Sequence, residues 1–368
     1  MEKKGIIIIL VLAIIIVLGV FIWSFLRIDL SPDVGRGEIE ECKTLKYNGE
    51  GKIDIVFLSD GGTAKKYSDY LLNIDPFKEN TEDFNFYYVD DYEPECEFYK
   101  DIALLCYNKE VVKKAGSCPN DYVVVVREEK SNIRSSSYMN VMSLNSKHKL
   151  NVFPHEFGHA FASFAEEYVP GNIPKNAKNC VAECADFQGE EEGCFEGCSK
   201  TNRIRSVNNG VMRSLSSDDF GDFNEKILQE RIDESLGKQG GSITGRVGEV
   251  FTECVDQEYY LLTLEKTSEG IVEKKKNLEV GCLPALSTGS YSYSFLGAEG
   301  GGNFDPENLF TVVEDDSGET GGETYSYLGE FLLPVPIVDG AEVLRIDDGA
   351  GIVLEVNLLD VDARACRI

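Results

Sequence analysis

The whole chain has three histidines, His148, His155 and His159, and two of them stand four residues apart with Glu156 beside the first. Four residues is about one helical turn, so on a helix both imidazoles lie on one face. Two imidazoles at that spacing with an adjacent carboxylate are the means by which a helix offers two ligands to a zinc ion and a general base to a water beside it. Phe157, Phe161 and Phe164 recur at helical spacing on the reverse side, which gives the same helix an apolar face for a core.

A catalytic zinc takes three protein ligands. His148 sits in the polar stretch SKHKL and reads as a solvated loop residue, so no third histidine is on offer and a carboxylate is expected. Glu166 and Glu167 are the nearest. On an unbroken helix Glu166 would share the histidine face but lie about 10 Å further along the axis. Either the helix bends or ends between Ala162 and Phe164, or the ligand comes from elsewhere. Tyr168 and Arg213 are candidates for steadying a developing oxyanion.

The elements that must position these residues begin with a strand at Ile53 to Leu58. It runs into a Gly-Gly turn, with Thr63 placed to cap a helix ending near Ile74. Residues 84–90 and 122–128 read as further strands, 97–107 as a helical stretch between them, 137–143 as an edge strand and 220–236 as a closing amphipathic helix. Alternating strands and helices predict an α/β layer carrying the histidine helix. From Ile243 the pattern changes to short strands (YYLLTLEK, YSYSFLG, ENLFTVVED, GEFLLPVPIV, GIVLEVNLL) separated by turn clusters, which predicts an immunoglobulin-like β-sandwich over 239–368.

The stretch HEFGHAFASFAEEY, with FLSDGGT, FNFYYVD and YVVVV ahead of it, resembles the zinc-helix region of the IgA-peptidase family of metallopeptidases, a metzincin-like group, over about residues 51–235. The resemblance implies an α+β or α/β peptidase domain, a zinc cofactor on His155, His159 and an acidic residue at Glu166, and a protein or peptide substrate cut by endopeptidase action with Glu156 as general base. Met212, in NNGVMRS, resembles the methionine turn beneath the metal in such enzymes. The chain departs from the pattern at Ser163, where the family has glycine, and at Glu166, where it has aspartate. A competing reading is a non-enzymatic surface adhesin or assembly factor with a peptidase-like domain; a zinc-free folded protein would favour it.

Composition bounds the setting. The chain has 36 Lys and Arg against 64 Asp and Glu, a formal net charge of −28, which argues against nucleic acid as a partner. Gly5 to Leu26 carries no charge and is long enough to span a bilayer, with Lys3 and Lys4 before it. This predicts a single-pass signal anchor over 1–30 in the cell membrane, a cytoplasmic N-terminus, a linker over 31–50 and an extracytoplasmic metallopeptidase domain over 51–238. Eleven cysteines suit an oxidising compartment. In the insertion 178–200 the spacing suits two short helices clasped by two disulfides, most simply Cys180–Cys198 and Cys184–Cys194, with a second metal site on the four thiols as the rival reading, beside the active site. Cys254 with Cys282, and Cys96 with Cys106 or Cys118, are further pairs, and an odd total leaves one thiol over.

Overall fold

The computed structural model describes residues 42–90, 92–187, 193–237, 254–314 and 318–359. The apolar stretch Gly5 to Leu26, expected to span a membrane, lies outside them. Among the described residues no helix is long and apolar enough to cross a membrane.

The expected α+β or α/β metzincin-like fold is overturned, because the described chain is mostly β sheet, with β1 to β19 against four α-helices. The central sheet has eight strands in the order β1 (Lys43–Lys46), β3 (Phe84–Val89), β2 (Ile53–Leu58), β6 (Tyr122–Arg127), β8 (Val141–Asn145), β7 (Ser135–Tyr138), β15 (Asn308–Glu314), β16 (Thr320–Ser326). Its inner strands β3, β2, β6 and β8 are parallel, and the rest are antiparallel to their neighbours. Parallel strands must be covered on both faces, which is why Ile55 and Phe57 enter one core while Val56 and Leu58 enter another. The first core is roofed by α1 (Gly61–Leu71) and α3 (Val152–Ala162), the second by α2 (Lys109–Ala115). α4 (Asp222–Ser235) closes the first core with Ile227, Leu228 and Ile232. Asp60, not Thr63, caps α1, accepting from the amides of Gly62 and Thr63.

Two helical expectations fail for local reasons. Residues 97–107 form a hairpin of β4 (Glu97–Tyr99) and β5 (Ala103–Leu105), because Lys100 and Asp101 take left-handed conformations at φ 50° and 61° and turn the chain back. The Cys96–Cys106 bridge closes that hairpin. Among its described residues the cysteine-rich insertion holds one 3₁₀ turn (Cys184–Phe187) and leads into β9 (Phe195–Cys198) and β10 (Lys200–Arg205), turning at Ser199. Its bridges are Cys180–Cys198 and Cys184–Cys194, as the spacing predicted, but without the helical pair. Cys42–Cys118 and Cys254–Cys282 complete five disulfides, and Cys366 lies outside the described residues.

Residues 137–143, read as one edge strand, are two strands reversing at Met139, φ 55°. In the C-terminal part, β11 (Glu258–Thr267), β12 (Gly270–Val280) and β17 (Gly329–Pro336) form one sheet. β13 (Tyr291–Leu296), β14 (Gly301–Phe304), β18 (Val343–Asp347) and β19 (Ile352–Asn357) form a second. Leu262, Leu264 and Leu333 pack with Tyr293, Phe295 and Ile346 in one core. The expected sandwich differs in one respect that matters for the site: ENLFTVVED leaves it. As β15 it pairs with β7, Leu309 opposite Tyr138 and Val312 opposite Ser135, and carries β16 into the central sheet. The outer edge of β7 has backbone groups to pair, and β15 satisfies them.

Candidate metal centre

α3 is buried along its entire length. Its Phe153, Phe157 and Phe161 pack against Phe57, Phe77 and Tyr122, so the aromatic face fixes the rotation of the helix and turns His155 and His159 the other way. Gly158 is required by close approach: a Cβ there would sit 2.6 Å from the sulfur of Met212. Met212 is fully buried and underlies the turn of helix between the two histidines.

The helix stops where the third ligand needs it to. Ser163 adopts a left-handed conformation, φ 54° and ψ 33°, a position usually given to glycine, and its amide and that of Phe164 bond back to the carbonyls of His159 and Gly158. The chain then reverses, and Glu166 is delivered to the histidines instead of being carried along an axis. Its two carboxylate oxygens lie 3.2 Å from His155 Nε2 and 3.2 Å from His159 Nε2, and the two Nε2 atoms are 3.3 Å apart. Among the described residues these three form a buried group that can hold a metal ion.

The protons on the rings are fixed by their outer partners. His155 Nδ1 lies 2.8 Å from the carbonyl of Val211, and His159 Nδ1 2.7 Å from that of Phe164. A carbonyl only accepts, so each Nδ1 carries the hydrogen and each neutral ring turns a lone pair at Nε2 toward the other and toward Glu166. Burial pushes His159 down, away from the charged form that a second proton would create, although Glu166 pulls the other way. Burial pushes Glu166 up, and positive charge at the histidine site, on the rings or on a bound cation, is what holds it ionised. Three acceptors therefore converge in a buried pocket, with the hydroxyl of Tyr168 beside Glu166 as a donor at its edge, an arrangement that a cation relieves.

Glu156 is also fully buried, and neither of its oxygens has a hydrogen-bond partner among the described residues. Burial, reinforced by the charge of Glu166, pushes its carboxyl well above the ordinary range. Glu167, the alternative ligand, points elsewhere: its Oε1 accepts from Asn224 at 2.8 Å and Asn179 at 3.2 Å. Burial lifts it to about 7. Tyr168 stays beside the site, its hydroxyl donating to the carbonyl of Thr311 at 3.2 Å, and burial and then Glu166 push it well up. Arg213 is spent on the carbonyl of Glu167 at 3.0 Å, behind the ligand loop. His148 is no ligand; its ring lies between Ser135 Oγ at 2.9 Å and the carbonyl of Ser131 at 3.2 Å.

The cysteine-rich insertion backs the ligand loop. Ser199 donates through Oγ to the carbonyl of Glu166 at 2.8 Å, and its amide to that of Tyr168 at 3.0 Å. Asn179 brackets Ala165, accepting from its amide at 2.8 Å and donating to its carbonyl at 2.9 Å. Sequence reasoning missed these supports, and it missed Phe310. That ring, in β15, stacks on His159 with centroids 4.0 Å apart and planes 9° from parallel. A lone Asn and a Phe within a strand carry no signal of such roles.

Compared with known proteins, the chain matches no protein-family model, and no curated protein matches its sequence.

Proposed function

We propose that this chain is a zinc-dependent peptidase acting on protein or peptide outside the cytoplasm. The observation that carries the reading is the convergence of the two Nε2 atoms, each ring tied through Nδ1 to a carbonyl, with the Glu166 carboxylate, and the buried carboxyl of Glu156 beside them. The ligand atoms are 3.2, 3.2 and 3.3 Å apart. These separations suit the roughly 3.3 Å edge of a tetrahedron with bonds of about 2.0 Å, and imidazole with carboxylate suits zinc better than calcium or magnesium. A structural zinc takes four protein ligands, whereas three leave a position for chemistry. The zinc-helix resemblance to the IgA-peptidase family points the same way, and the five disulfides support an oxidising compartment.

Zinc held there by His155, His159 and Glu166 would supply Lewis acidity for a scissile carbonyl and acidify a water. Glu156, whose carboxyl the charge of a bound cation would bring back down, takes the proton of the attacking water and returns it to the departing amine. Tyr168 lies beside Glu166, where its hydroxyl can face charge developing on the carbonyl oxygen once freed from Thr311. The carbonyls of Val211 and Phe164 keep both rings in the ligating tautomer throughout.

The test is metal content and cleavage in one preparation. The purified protein should hold one zinc per chain and cut denatured casein. Glu156→Gln should keep the zinc while cleavage falls by about 10²- to 10⁴-fold, the usual worth of a general base. A folded protein with no zinc would end the proposal and favour a non-enzymatic surface role.

A further inference from the structure

The metal centre is closed by the chain's own C-terminal half. His155, Glu156 and Glu166 have no exposed surface, and His159 is 3 % exposed. The cover is β15: Phe310 lies flat on the His159 ring, and the carbonyl of Thr311 takes the hydroxyl of Tyr168. The cavity bordering His159, Ser163 and Phe310 has a volume of about 20 Å³, enough for one water and far too small for a peptide.

β15 also occupies the one sheet edge a substrate would need. An extended polypeptide binds a sheet by adding a strand at an open edge. In this sheet the strand beside α3 with an outer edge is β7, and residues Leu309 to Val312 already pair with it, antiparallel, opposite Tyr138 to Ser135. The hairpin is tied down around its perimeter by side chains. Lys149 meets Glu314 at 2.6 Å, Thr320 Oγ1 accepts from the amide of Leu215 at 2.8 Å, and Asn172 donates to the carbonyl of Thr324 at 2.9 Å. None of these ties is deeply buried; Lys149 is half in solvent.

We propose that the β15–β16 hairpin is a built-in strand that holds the peptidase latent, occupying the substrate edge and capping His159 until it withdraws. The inference rests on the peptidase reading for what is being blocked, but the block itself is geometric. Withdrawal breaks no covalent bond: it exchanges the β7–β15 ladder for a ladder between β7 and substrate, and it takes Val312 and Leu309 out of the two cores they fill. Activation is then a shift between a closed and an open state, set by how weakly the hairpin is held.

Two variants of the full chain, loaded with zinc, test this with two readouts: the rate at which excess EDTA strips the metal, and the rate of casein cleavage. Phe310→Ala removes the ring stacked on His159 and should raise both rates about tenfold, as expected when a closed state loses a well-packed aromatic contact. Lys149→Ala loosens one exposed tie and should raise both by about twofold. If folded Phe310→Ala leaves both rates at the wild-type value, or lowers cleavage without speeding zinc loss, β15 is a fixed wall and the proposal is wrong. Should Phe310→Ala fail to fold, hydrogen exchange on the wild-type protein decides. Amides of Leu309 to Val312 opening well before those of β6 support withdrawal, whereas opening only with the whole fold overturns it. Faster zinc loss with no cleavage by any variant upholds the latch and sinks the peptidase reading. Brisk wild-type cleavage that neither variant increases does the reverse.

Discussion

The two sides of the metal centre are built by different means. His155 and His159 belong to α3, whose aromatic face sets their direction through the core, and they would point together on any helix held that way. Glu166 belongs to a loop with no regular structure. Its place depends on a left-handed serine, on Asn179 and Ser199 from the cysteine-rich insertion, and on the amide of Glu167 reaching the carbonyl of Met212 at 3.0 Å. Periodicity positions one pair of ligands; tertiary contacts position the third. The difference separates stability from metal affinity: damage to the helix side should be felt as unfolding, and damage to the loop side as a weaker site in a folded protein.

The largest effect should come from the helix side. Phe157 is fully buried against Phe77, Tyr122, Phe153 and Phe161. Phe157→Ala should cost about 3–5 kcal/mol of stability, read as a lower denaturation midpoint. Zinc affinity of the fraction that remains folded should be close to wild type. A large affinity loss with little loss of stability would erase the distinction between the two sides.

On the loop side, Asn179→Ala leaves the amide and carbonyl of Ala165 without the side chain that brackets them, which loosens the ligand loop rather than the core. The zinc dissociation constant, measured by competition with a chelator, should rise about 10- to 100-fold, as it does when outer supports of a metal site are lost. Ser163→Gly works in the opposite direction. Glycine takes a left-handed conformation without the Cβ penalty, so the substitution should stabilise the protein by up to about 1 kcal/mol. A destabilised Ser163→Gly would mean that the serine side chain, not its backbone, shapes the turn.

The last effect lies at the outermost support. α4 carries Asn224, which holds Glu167, and next to it Glu225. Burial first, and then the charges of Asp219, Asp75 and Asp222, push Glu225 from 4.5 to about 7. The folded state therefore holds this proton more tightly than the unfolded chain. Its contribution is fully present below about pH 4.5 and is lost as pH rises through about 7. Glu225→Gln should flatten that part of the stability profile, measured as denaturation midpoints across the same range. An unchanged slope would remove Glu225 from the account.

What was legible in the sequence follows the same division. The histidine helix, strands β2, β3 and β6, and the pairings Cys180–Cys198 and Cys184–Cys194 could be read because each rests on spacing within a short window. A break between Ala162 and Phe164 was one of two alternatives in the sequence, and the left-handed turn stands there, although serine gives no hint of it. The choice of Glu166 over Glu167 came from the family resemblance and agrees with the observed group, although spacing alone does not separate two neighbours in a loop. The hairpin at 97–107 was misread because ALLCY is too short to distinguish a strand from a helix, and the turn at Lys100 and Asp101 has no glycine to announce it. The membership of β15 in the central sheet was the deepest miss. Leu309 and Tyr138 are far apart in sequence, and no local pattern states which edge a strand will join.

That strand has a further property, which concerns fidelity in folding. Val312 belongs to the core beneath α3, and Leu309, three residues earlier and therefore on the opposite face, belongs to the core of the C-terminal sheets. A slip of one residue would turn both side chains out of their cores at once and lift Phe310 off His159. A misaligned β15 is thus penalised on two faces together, so one short strand checks that both halves of the molecule have folded in register with each other.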